Sequence, residues 1–143
     1  MLKVFAQRNL WIPLIALSAG MFVPISALAE ARLRCQITLG GQTQVREFAM
    51  TSDPYGVPAL DLNRHFRFKA VVIGDASRLE YVKIYTYYQT PRQPVLLHLA
   101  HYPVPRMPAG NAPDALTGTH TLYSPNLGRE LQYGCTLFEA LSQ

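Results

Sequence analysis

The sequence predicts an all-β fold: a single small antiparallel β-sandwich or flattened barrel of about seven strands, its terminal strands linked by a disulfide. Three observations carry this reading. Apolar and polar residues alternate in segments near both ends of the chain, the period-two pattern of a half-buried strand. Clusters of Gly, Pro, Asn and Ser recur between β-branched and aromatic runs, at the spacing of sandwich strands. The two cysteines that follow residue 29, Cys35 and Cys135, each fall in the apolar set of an alternating segment.

In chain order, residues 1–29 come first. Met1 to Arg8 holds Lys3 and Arg8 and no acidic residue, Leu10 to Val23 is uncharged and apolar, and Ala27-Leu28-Ala29 places small residues where a signal peptidase reads them. A basic n-region, an apolar h-region and an Ala-x-Ala exit are the parts of a secretory signal. Pro13, Gly20 and Pro24 interrupt the apolar run, which argues against a retained span of about 20 apolar residues. Residues 1–29 are therefore expected to be a cleaved signal peptide and residues 30–143 a single β-rich domain, periplasmic or secreted.

The first strand is expected over Arg32 to Leu39, with Leu33, Cys35, Ile37 and Leu39 facing inward. Gly40-Gly41 suits a tight hairpin into Gln42 to Met50. Ser52 to Pro58 reads as a loop, since its Pro and Gly residues refuse both helix and ladder. His65 to Ile73 alternates through Phe66, Phe68, Ala70 and Val72, and Gly74 to Ser77 turns the chain. Leu79 to Gln89 is rich in Tyr, Val, Ile and Thr, which pack well on a pleated surface. Val95 to Tyr102 is another strand, and Pro103 to Ala115, with four prolines, an extended surface loop. Thr117 to Tyr123 is a short strand and Glu130 to Leu137 the last, with Leu131, Tyr133, Cys135 and Leu137 inward.

In an oxidising compartment a cysteine pair without metal-type spacing reads as a disulfide. Closing a loop of about 100 residues, the Cys35–Cys135 bond is worth roughly 4–5 kcal/mol in the chain-entropy picture. Tyr133-Gly134-Cys135 resembles the tyrosine two residues ahead of the second cysteine in immunoglobulin domains. No tryptophan lies between the cysteines, however, so a stapled sandwich or barrel of another kind is expected.

Function is constrained more than it is revealed. Loss of Lys3 and Arg8 with the leader leaves eleven basic and nine acidic residues, a net charge of +2. That near balance gives no reason to expect nucleic-acid binding, and no membrane association is expected after signal cleavage. There is no Gly-x-Ser-x-Gly, no His-Glu-x-x-His and no phosphate-cradling glycine loop. A non-enzymatic binding or accessory domain without cofactor is expected, its partner an envelope protein or glycan.

Two sets of residues are candidates for a site. Tyr81, Lys83, Tyr85 and Tyr87 fall on one face of their strand, opposite Val82, Ile84, Thr86 and Tyr88. If the second face is the core, an aromatic row with a lysine is left outside, either open to a partner or covered by a loop such as Pro103 to Ala115. The alternative is a periplasmic copper or zinc protein using His98, His101 and Met107, since imidazole with thioether sulfur suits copper. Residues three apart on a strand face opposite sides, so that set requires a bend in the chain.

Overall fold

The computed structural model describes residues 29–75 and 77–141; apart from Ala29, the expected leader lies outside the described residues. Eight strands follow in order: β1 (Ala29–Leu39), β2 (Gln42–Thr51), β3 (Leu60–Asp61), β4 (Phe66–Gly74), β5 (Leu79–Gln89), β6 (Pro94–Pro103), β7 (Thr119–Tyr123) and β8 (Glu130–Leu141). They form one sheet in the spatial order β6-β5-β4-β2-β1-β8-β7, with β3 added against β4. The terminal strands of this path, β6 and β7, share no backbone ladder among the described residues, but their side chains meet: Tyr102 Oη lies 3.3 Å from His120 Nε2. The architecture is all-β and nearly closed, like a barrel.

The first and last strands are neighbours. β1 and β8 pair antiparallel from Ala29↔Leu141 to Leu39↔Leu131, and Cys35 stands directly across from Cys135. The two cysteines are disulfide-bonded, with Cα atoms 4.1 Å apart. On the other side of β1, Gly40 and Gly41 form a two-residue hairpin into β2, both at positive φ, a conformation that costs glycine little.

The sheet is mixed, which corrects the expectation of a purely antiparallel one. Met50↔Val72 and Thr51↔Ile73 join β2 to β4 in parallel. Fourteen residues separate Thr51 from Phe66, about the length a crossover between parallel strands requires. Within that crossover β3 runs antiparallel to β4, pairing Leu60 with Phe68 and Asp61 with Arg67. β3 therefore carries the chain back, and β4 enters in the same direction as β2.

Alternation decides the core. Leu33, Cys35 and Ile37 of β1, Phe66, Phe68, Ala70 and Val72 of β4, Val82 and Ile84 of β5, and Leu131, Tyr133, Cys135 and Leu137 of β8 form one buried cluster. Phe68 sits at its centre, edge-on to Tyr133 at 5.3 Å between ring centroids and 5.9 Å from Phe48. Burying each such side chain contributes about 1.5–3 kcal/mol. On the outward face of β8, Gly134 and Thr136 are buried as well. The end of the proline-rich segment folds across this strand, Leu116 N donating to Cys135 O at 3.0 Å and Cys135 N to Thr117 Oγ1 at 2.8 Å.

Candidate functional site

Along β5, Val82, Ile84 and Thr86 are fully buried in the interior, and Tyr81, Lys83, Tyr85 and Tyr87 are half-buried on the outer face. Strand pairing extends this face on both sides. Tyr87 stands between Arg67 of β4 and Leu96 of β6, Tyr85 between Lys69 and Leu99, and Lys83 between Val71 and His101. Leu96 and Leu99 are exposed.

The tyrosine rings are ordered against one another. Tyr85 and Tyr87 lie parallel within 4°, centroids 6.2 Å apart. His101 meets Tyr81 edge-on at 5.6 Å, and Lys83 Nζ lies 5.1 Å from the centroid of the same ring. A groove of about 250 Å³ separates the row from the segment Pro54-Tyr55, with Val71 in its lining. Lys69 Nζ donates to Pro54 O at 3.3 Å and so ties that segment down, while Tyr55 stands 93 % exposed beside the groove. The segment flanking the row is thus the β2–β3 loop; the proline-rich segment after β6 ends on β8 instead.

Charge on this face is one-sided. Arg67 is matched by Asp61 at 2.6 Å, but Lys69 and Lys83 have no carboxylate partner among the described residues. Burial, and to a lesser degree the neighbouring Tyr85, pushes the Tyr87 phenol above its usual pKa.

The histidines divide between faces. His101 is paired with Lys83 on the outer face, whereas His98 is paired with Thr86 on the inner one. Met107 is exposed and lines a different cavity, with Met50 and Leu79. The ligand set His98, His101 and Met107 is not brought together. β6 does carry a register irregularity, opposite Thr86 and Tyr87, but it falls before His98 and leaves the two histidines on opposite sides.

A different cluster forms instead, inside the seam. His98 Nδ1 is 3.1 Å from the phenol oxygen of Tyr133, His98 and His120 have ring centroids 4.9 Å apart, and His120 stacks on Tyr133 at 5.0 Å. With Tyr102 hydrogen-bonded to His120, four polar rings from β6, β7 and β8 meet. Burial first, then the adjacent His120, lowers the His98 pKa. Burial raises Tyr102 and pushes Tyr133 far up, with Tyr102 adding to the latter. Parity along β6 groups His98 with Tyr102 in the sequence, but nothing local says that β7 closes against β6. No protein-family model, curated protein or solved structure matches this chain.

Proposed function

We propose that this is an exported, non-catalytic binding domain that holds an extended anionic glycan across the outer face of β4, β5 and β6. One observation carries the reading: the parallel Tyr85 and Tyr87 rings are flanked by Lys69 and Lys83, neither of them matched by a carboxylate among the described residues. Tyrosine supplies a flat apolar face with a polar rim at little entropic cost, the surface on which sugar rings stack. The unmatched ammonium groups favour carboxylates or phosphates on the same chain. Single-stranded nucleic acid shares this chemistry, but a mature domain of net charge +2 lacks the broad basic footprint that such binding relies on. The disulfide is consistent with an oxidising compartment, where envelope glycans are found.

Affinity electrophoresis through polygalacturonate and through neutral dextran tests this. The wild-type protein is expected to be retarded by the first and not by the second. Tyr85→Ser with Tyr87→Ser removes the retardation, and Lys69→Gln with Lys83→Gln reduces it and flattens its dependence on salt. Equal retardation of wild type and the tyrosine variant contradicts the proposal. So does an envelope protein captured through the row when neither polysaccharide binds.

A further inference from the structure

We propose that His98 and His120 form a two-imidazole site for a divalent cation of the Cu(II) class, built into the seam between β6 and β7. The site lies on the inner face of β6, and its test is independent of the tyrosine row.

The first argument is spacing. A metal–nitrogen bond of about 2.0 Å places the ion roughly 3.1 Å from an imidazole centre, so two ligands 90–110° apart hold their ring centres about 4.4–5.1 Å from each other. The observed separation is 4.9 Å. The second is the hydrogen-bond pattern. Tyr133 occupies Nδ1 of His98 and Tyr102 occupies Nε2 of His120. Among the described residues this leaves one nitrogen on each ring without a hydrogen-bond partner. Metal-binding histidines are usually held in this way, the second nitrogen bonded to a fixed oxygen that sets tautomer and ring angle. A third observation concerns the surroundings. Thr86, opposite His98 in the strand register, has a fully buried hydroxyl without a hydrogen-bond partner among the described residues. The interior at this point is more polar than packing calls for.

The donor set selects the ion. Among the described residues no group of three or more His, Cys, Asp or Glu side chains converges, so the protein offers a cation two imidazole nitrogens here. Such a site has no thiolate to favour Cu(I) or zinc and no carboxylate to favour magnesium or calcium. Among the borderline divalent ions Cu(II) binds nitrogen ligands most tightly.

Titrating the disulfide-intact protein with Cu(II), followed by visible absorption and electron paramagnetic resonance, tests the site. One equivalent is expected to bind saturably, with hyperfine structure from two imidazole nitrogens. His98→Gln and His120→Gln each abolish that signal, and Tyr133→Phe weakens binding by about tenfold. His65→Ala and His101→Ala leave it unchanged. Absence of saturable binding, binding retained in both glutamine variants, or binding lost with His101 overturns the proposal. Should either glutamine variant fail to fold, the wild-type spectrum decides: two imidazoles support the site, and one imidazole or an amino-terminal set of nitrogens contradicts it.

Discussion

Thr86 is the residue at which the interior is least economical. Its hydroxyl is fully buried and unpartnered among the described residues, and an unsatisfied buried group of this kind costs about 1–3 kcal/mol. Thr86→Val, which keeps the shape and removes the hydroxyl, is expected to raise the unfolding free energy of the metal-free protein by about 1 kcal/mol in urea denaturation. A lower midpoint would show that the hydroxyl is bonded in solution. The tyrosines make a second prediction. Tyr87, Tyr102 and Tyr133 hold their protons above the ordinary phenol value, chiefly because of burial. An unfolded chain releases those protons near pH 10, so the folded state binds more protons above that point and loses stability as pH rises further. Absorbance at the tyrosinate band should show a group of tyrosines ionising late and together with unfolding. Tyr133→Phe should shrink that group; an unchanged titration would place the phenol in solvent.

At the scale of the element, β8 and the segment before β7 depend on each other. A Cβ at Gly134 would lie 2.6 Å from the Cβ of Asp114, and Asp114 is itself held by Thr119 at 2.9 Å. Gly134→Ala is expected to cost about 1–3 kcal/mol, the usual penalty of overpacking. Adding Asp114→Gly should recover part of the loss, a coupling that a double-mutant cycle measures; strictly additive effects would contradict the contact. The alternating strands were legible because their chemistry is local: Leu33, Cys35 and Ile37, and likewise Leu131, Tyr133 and Cys135, repeat at the period of a pleat, and Gly40-Gly41 can serve one kind of turn. The parallel pairing of Met50 with Val72 was not legible, because alternation fixes which face a residue takes and says nothing of strand direction. β3 was missed for a related reason, since two residues are too few to show a period. Of the candidate sites, the division of β5 into Tyr81, Lys83, Tyr85 and Tyr87 against Val82, Ile84 and Thr86 follows from parity alone. The meeting of His98 with His120 depends on barrel closure, which joins residues 22 positions apart without any pattern between them.

The whole molecule is one nearly closed sheet fastened at two places, by a covalent bond across the paired strands β1 and β8 and by side chains where β6 meets β7. The Cys35–Cys135 bond joins strands already paired through their backbones, so its contribution is chiefly to the unfolded chain, whose ends it ties together. The double variant Cys35→Ala, Cys135→Ala is expected to lose about 4 kcal/mol in equilibrium unfolding. A loss below about 1 kcal/mol would mean that the unfolded chain keeps its ends together without the bond. At the second fastening, His98, Tyr102 and His120 take the place of a ladder between β6 and β7. The barrel therefore has a hydrophobic interior, a polar seam and one outer face rich in tyrosine and lysine. Mapping backbone amide shifts by nuclear magnetic resonance as polygalacturonate oligomers are added tests that last assignment most directly. Saturable shifts are predicted at Arg67, Lys69, Tyr81, Lys83, Tyr85, Tyr87 and Leu99, with β1 and β8 unmoved. Shifts confined to β1, β8 or the Asp114 segment, or none that saturate, would contradict it.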